Sequence, residues 1–509
     1  MEQSCDDSEP PAAPTYWLTR FVLLRAVGLI YGVAFLVAIR QLLPLIGSKG
    51  LTPVGPYLKR IAAALGSERA GFWRLPSLFW ANHSDTALMV VAWTGFGLSC
   101  VVVAGFANAP VMAVLWALYL SIVHVGQEWY GYGWEIQLTE TGFLCIFLCP
   151  LLDMRPFPRA APPLPIIVLF RWLVFRIMLG AGLIKIRGDK VWRDGTALFY
   201  HFETQPIPNP LSRWFHFLPR PALKMGVWFN HLAELGAPWF VFWPRTARHI
   251  AGVVIVLFQG NIILSGNLSF LNWLTIIPAL ACFDDGFWAR VLPGPLVRRA
   301  EAAAGRAEIS RPMQVTGWIV AGLIGFLSYR PVRNLISPGQ IMNTSFDPFD
   351  LVNTYGAFGS VGKERYNVVF EGTSDDDSTD RAHWQPYIYK GLPVALDRRP
   401  PQVAPYQLRL DWQMWFAAMY SPNRYPWTVH LIWKLLHNDA GALGLFAGNP
   451  FPDGPPRYIR AVLYEYRFAP PGNAEGRYWE RERLGLWLPA FSVDDPRLLD
   501  FLESEGWIE

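Results

Sequence analysis

The run from Leu164 to Ile184 is almost wholly apolar and long enough to cross a bilayer, which takes ~20 helical residues. No other feature restricts the fold as much, because backbone in hydrocarbon must satisfy its own polar groups, as a helix or a closed barrel. The run ends in Gly182-Leu-Ile-Lys185-Ile-Arg-Gly-Asp189, which puts Lys185 at or just inside a helix terminus. Two readings of Lys185 stay open. A long cationic side chain at a helix end can snorkel its amine to the headgroups. An ionisable group at membrane depth otherwise marks a functional site, because an unpaired charge there is costly. Shortly after comes Phe202-Glu203-Thr-Gln205-Pro206-Ile-Pro208-Asn209-Pro210, whose prolines predict an extended loop rather than helix or central strand.

Other apolar runs extend the pattern: Phe21 to Ile39, Thr86 to Phe106, Pro110 to Val125, Lys224 to Trp243, Ala251 to Leu264, Leu268 to Phe283 and Gln314 to Ser328. Ile136 to Leu152 carries Glu140 and reads as a further span or a re-entrant segment. The expectation is a multi-pass α-helical membrane bundle of about eight or nine spans over residues 15–330. A composition of 52% hydrophobic and 17% charged residues agrees, lying outside the usual soluble range. The polar, acidic stretch Met1 to Pro14 reads as disordered, without the basic start of a cleaved signal peptide.

The net charge of +4 hides an asymmetry: basic residues are in excess before residue 331 and acidic ones after it. Residues 331–509 read as a soluble, β-rich α+β domain. Arg365 to Glu371 and Tyr458 to Phe468 have strand character, and Trp427 to Leu436 reads as a short amphipathic helix. Basic residues are scattered among membrane loops instead of gathered on one face, so no nucleic-acid partner is expected. Of the five cysteines, Cys145 and Cys149 sit in an apolar run and read as small buried hydrophobes.

Polar residues inside the apolar half form the first candidate constellation. Lys185 could face Glu135, Glu140 or Glu234, and His231 shares a helix face with Glu234. The bland reading is interhelical hydrogen bonding; the functional one is a polar cavity. His231 with Glu234 supplies at most half a metal site, so neither a metal nor a cofactor is expected. In the tail, Trp412, Trp415, Phe416 and Met419 recur at helical spacing and read as a core stripe. Trp412, Trp415 and Phe416 could instead be partly exposed and receive a protein client.

Several of these strings together resemble the lipase maturation factor family. The segment Gly182 to Asp189 and the run Tyr200 to Pro210 carry the most specific likeness, including Trp192, Glu203, Gln205, Pro206 and Asn209. Asn230-His231-Leu-Ala-Glu234, Leu264-Ser-Gly266-Asn267, Asp284-Asp285, Leu351 to Gly356 and Pro405 to Phe416 add to it, so the likeness runs from roughly Gln127 to Leu488. The resemblance implies a multi-pass membrane protein of the secretory pathway that assists the folding and assembly of secreted lipases. Its place would be the endoplasmic reticulum membrane in a eukaryote, or the cytoplasmic (inner) membrane in a bacterium. Its partners would be the lipid bilayer and a lipase-like client. A remoter similarity links the membrane half to vitamin K-dependent γ-glutamyl carboxylase, which would make Lys185 a catalytic base, although the spacing from Lys185 to Trp192 and Gly195 is longer here. A transporter with a polar path through the bundle is the third reading.

Overall fold

A computed structural model gives the architecture and describes residues 15–308 and 310–508. The disorder expected for Met1 to Pro14, and Cys5 within it, lie outside the described residues. The first half is helical. Its helices include α1 (Trp17–Ile46), α2 (Asp85–Ala104), α3 (Ala109–Val125), α4 (Gly133–Leu148), α5 (Leu164–Gly188), α6 (Arg220–His231), α7 (Arg245–Ser265), α8 (Leu271–Ala279) and α9 (Arg311–Leu327). Ser84, Asn108 and Ser310 start α2, α3 and α9 by accepting first-turn amides with their side chains. α1 has no such neighbour. Its opening amides, Trp17 N and Leu18 N, donate instead to Asp285 at 2.9 and 2.7 Å.

By length and apolarity, α1, α2, α5 and α7 can each cross a membrane. A fifth span results if α9 is joined to Tyr329–Ile336 across a 42° bend. The remaining runs among the expected eight or nine become shorter helices, or break. The stretch from Lys224 to Trp243 shows why. α6 stops at His231, a single π-helical turn covers Leu232–Gly236, and a 3₁₀ segment follows over Ala237–Phe242. Pro238 has no N–H with which to continue an α-helix. Cys145, Cys149 and Cys282 are buried, whereas Cys100 is exposed.

The tail contributes α10 (Arg409–Ala417), α11 (Trp427–Leu436) and the strands β1 (Arg365–Thr373), β2 (Gln385–Pro386), β3 (Tyr458–Phe468) and β4 (Trp479–Phe491). The strands form one antiparallel sheet in the order β2–β1–β3–β4, with Val369 opposite Val462. α11 and β3 coincide with the stretches that periodicity predicts. Besides this sheet the described tail has the short ladder of Thr344–Ser345 with Asn353–Thr354 and an isolated bridge between Tyr389 and Phe446, so it holds less strand than a β-rich domain would.

Bundle and tail share one apolar core, continuous from Leu23 and Tyr119 to Trp412 and Tyr466. Two glycines of α5 admit the tail backbone. A Cβ on Gly180 would lie 2.5 Å from the Tyr355 carbonyl oxygen, and one on Gly188 would lie 2.5 Å from that of Gly359. Any larger residue at either place would push the tail off the helix.

Candidate functional site

The proline loop is the joint between the halves. A short helix, Leu198–Thr204, takes up Phe202 and Glu203, which the sequence placed in the extended loop. It stops at Gln205 because the residue before a proline is driven out of the helical region. Proline carries no N–H, so the loop cannot pair its carbonyls within itself and needs outside donors. Arg365 of β1 supplies them. Its Nη1 donates to the carbonyls of Glu203 and Gln205 at 3.0 and 2.5 Å, and its Nη2 to that of Pro206 at 2.9 Å.

Other side chains complete the clamp. Gln205 donates to Ser265 O at 2.9 Å, and Asn209 to Leu264 O at 3.0 Å, tying the loop to the end of α7. Trp415 Nε1 donates to Thr204 O at 3.0 Å, and the Glu203 carboxylate accepts from Phe468 N at 2.6 Å. Trp192 Nε1 reaches Phe358 O at 2.8 Å. The string of residues Trp192, Glu203, Gln205, Pro206 and Asn209 is therefore bound up in joining bundle to tail.

The five polar residues expected to form one cluster resolve into separate sites. Lys185 donates to Glu234 at 2.5 Å and to Asn230 at 3.0 Å, and Asn230 in turn donates to Glu234 at 2.9 Å. The π-helical turn carries Glu234 to this position, and the Lys185 ammonium lies 4.9 Å from the centre of the Trp192 ring. Both charged residues are buried, so Lys185 does not snorkel. His231 stays outside the pair and donates from Nε2 to Trp192 O at 3.0 Å.

Glu135 and Glu140 lie elsewhere, each with its own arginine. Glu135 of α4 pairs with Arg409 of α10 at 2.9 Å and also accepts from the Tyr119 hydroxyl. Glu140 pairs with Arg176 of α5, and accepts from Tyr355 Oη at 2.7 Å and from Asn353 N at 3.1 Å. The physical reason is cost: an uncompensated buried charge is far less tolerable than a matched pair. Arg176 inside the apolar run and Arg409 at the start of α10 were the signals available in the sequence, because each buried acid required a buried base.

Between these elements lies a cleft of about 470 Å³. Lys185, Glu234 and His201 line one part of it, and Trp415, Phe416 and Met419 another. His201 is held neutral, its pKa lowered to about 4 by burial and by the Lys185 charge. The aromatic stripe divides. Trp412 is buried core, 4.8 Å from the Trp134 ring. Trp415 and Phe416 are half-buried on the cleft wall, and Met419 lies exposed beyond the end of α10.

Comparison with known proteins places this architecture. The family model for the lipase maturation factor transmembrane domain matches residues 18–290, and that for the lipase maturation factor C-terminal domain matches residues 351–489. The chain is 45% identical to Lipase maturation factor 1 of Bos taurus, over 97% of this chain and 92% of that protein. It is 44% identical to Lipase maturation factor 1 of Homo sapiens, over 97% and 91%. This chain belongs to the lipase maturation factor family. Lipase maturation factor 2 of Homo sapiens is more distant, at 28% identity over 96% of this chain and 85% of that protein. No solved structure matches the chain.

The Asp284-Asp285 pair of this lipase maturation factor chain has a packing role that its sequence did not disclose. Asp285 caps α1, while Asp284 holds Arg245 through two contacts of 2.8 Å and starts the short helix Asp285–Trp288. Asn267 acts similarly at the joint, donating to Pro208 O and Pro401 O at 3.1 and 2.8 Å.

Proposed function

We propose that this chain is a membrane-embedded maturation factor that helps a secreted lipase reach its folded, assembled form. The relatives that it matches along nearly their whole length carry that function in their names. Its membrane would be that of the endoplasmic reticulum in a eukaryote, or the cytoplasmic membrane in a bacterium. The client would meet the tail side of the cleft, where Trp415 and Phe416 keep part of their apolar surface free. Maturation by binding needs no bond chemistry, only a higher affinity for an unfinished client than for the finished one.

The observation that carries the binding reading over a carboxylase-like one is the state of Lys185. Its Nζ is buried and engaged by Glu234 and Asn230 at 2.5 and 3.0 Å, contacts made within the protein that leave the amine tied to its own neighbours. The test is co-expression of a secreted lipase with each variant in cells lacking their own factor, reading secreted lipase activity per mass of lipase. Lys185→Arg retains most activity, and the double change Trp415→Ala with Phe416→Ala loses most of it at unchanged membrane abundance. A well-folded Lys185→Arg without activity, beside an active aromatic double variant, would overturn the proposal in favour of base catalysis.

A further inference from the structure

We propose that the connection between α1 and α2 is a docking surface for anionic lipids of the membrane face on which it lies. α1 ends at Ile46 and α2 starts at Asp85, and both are long and apolar enough to cross a bilayer. The two ends are tied together. Ser48 donates to the Asp85 carboxylate from its backbone N at 2.7 Å and from its hydroxyl at 2.8 Å. The chain therefore leaves the membrane and returns to it at one level. Its returning limb is pinned as well: Ser77 Oγ donates to Ser121 O at 3.0 Å, Leu78 N donates to Ser121 Oγ at 3.0 Å, and His124 Nδ1 lies 2.8 Å from Pro76 O. Ser121 and His124 belong to the last turns of α3. Residues 76–78 thus stand level with helix ends, where hydrocarbon gives way to headgroups.

Between these anchors lie two short helices, Val54–Leu65 and Glu68–Arg74. The first buries only Val54 and Leu58 against the bundle, and the second only Gly71. Large apolar side chains are left outside: Trp73 is 58% exposed and Leu78 52%. Such residues suit the boundary where apolar and polar neighbours occur together, which is where tryptophan concentrates in membrane proteins. The charges select the lipid. From Gly47 to Ser84 five cations, Lys49, Lys59, Arg60, Arg69 and Arg74, stand against one acid, Glu68. All five are exposed, and among the described residues none forms a salt bridge. Exposed arginines elsewhere do find acids, as Arg155, Arg467, Arg483 and Arg497 each reach a carboxylate. A zwitterionic surface offers the five cations no net counter-charge, whereas an anionic one attracts basic segments held close to it. Basic helices with a few large apolar side chains are the kind that lie in the plane of such a surface. An acidic soluble protein fits less well, because the pinned limb holds Leu78 at the lipid boundary, where headgroups are met first. The inference stands apart from the lipase reading, since it concerns how the bundle sits in its membrane.

The test uses the full-length protein in phosphatidylcholine vesicles doped with a diazirine-bearing phosphatidylserine or phosphatidylcholine, followed by photolysis and mapping of adducts by mass spectrometry. Phosphatidylserine adducts should gather on Trp73 and Leu78, with unlabelled phosphatidylserine competing and phosphatidylcholine not. Labelling at Trp318 of α9, which is also exposed, serves as the reference and should show no such preference. High salt should erase the preference in the unaltered protein, an arm that needs no variant. The combined change Lys59→Gln, Arg60→Gln, Arg69→Gln and Arg74→Gln, all at exposed positions, should lower the preference at least roughly fivefold. Equal labelling of Trp73 and Leu78 by both lipids at low salt overturns the proposal, as does a preference that survives high salt or a folded quadruple variant. Competition by soluble glycerophosphoserine overturns it too, since that means a discrete headgroup pocket and not a lipid surface.

Discussion

Arg409 of the tail lies 2.9 Å from Glu135 of the bundle, and neither side chain has any exposed surface. The guanidinium also rests 3.3 Å from the centre of the Tyr130 ring and donates to Trp129 O. A pair buried this completely contributes little net stability by existing, but breaking it is costly, because the surviving charge is stranded. Arg409→Met should therefore destabilise the protein by about 3–5 kcal/mol. Glu135→Leu combined with Arg409→Met should recover a large part of that loss. Thermal unfolding of the purified protein in detergent reads both, and a single variant as stable as the double one would refute the pairing energetics.

The same contact bears on the tail in isolation. Composition alone suggests that residues 331–509 fold by themselves, yet Asn353, Tyr355, Arg365 and Arg409 all complete their hydrogen bonds on the bundle. Expressed alone, the fragment should melt without a sharp transition by circular dichroism. A cooperative melt with a strong sheet spectrum would show that the joint is dispensable for tail folding.

Arg365 can be tested without changing charge. Lysine keeps the cation but lacks the planar fork, so Arg365→Lys can serve only part of the loop's three carbonyls. The expected loss is ~1–3 kcal/mol, the cost of leaving a buried polar group unpaired. It should appear locally as faster hydrogen exchange at the amides of Gln205, Ile207 and Asn209, with little change at β3. Uniform acceleration throughout the chain would mean that the arginine holds the fold and not the loop.

Asp411 gives the tail a pH dependence. Burial raises its carboxyl to about 6, outweighing the amides of Gly391 and Leu392 that donate to it. The unfolded value is near 3.9, so between the two the folded state holds more protons than the unfolded one. Stability from this group is thus fully present below about pH 4 and is lost as the pH rises through about 6, with an amplitude on the order of 3 kcal/mol. Asp411→Asn removes the titration. The difference in melting temperature between variant and parent should grow from pH 4 to pH 7 in the variant's favour; a constant difference would exclude Asp411 as the titrating group.

How much of this was legible depended on range along the chain. The patterns that produce β3 and α11 are local, and alternation over Tyr458 to Phe468 or apolar periodicity over Trp427 to Leu436 places them without knowledge of the fold. Lys185 could be singled out for the same reason, as one charge at the end of one apolar run, and Glu234 stood among its candidate partners. Choosing Glu234 over Glu135 and Glu140 required the π-helical turn after His231, which no periodicity announces. Arg409 and Glu135 lie on opposite sides of most of the chain, and Arg365 reads as an ordinary strand residue until the carbonyls of the proline loop come under it. The span count was legible only in part, with four or five helices long and apolar enough to cross a membrane among the described residues. Apolar runs such as Leu268 to Phe283 satisfy a composition test, but in the folded chain they are short helices packed among others.

The capping of α1 by Asp285 sets an order on biosynthesis. α1 leaves the ribosome before every other described helix, yet the carboxylate that accepts from Trp17 N and Leu18 N is translated after the whole of α8. Amide groups at a helix start have no partner within the helix, and hydrocarbon offers them none. Until Asp285 is made, those amides must stay in contact with water or headgroups, which holds the front of α1 at the membrane surface. Its final seating is therefore a late step, and chains that stop short of residue 285 have a first helix that is inserted but not locked.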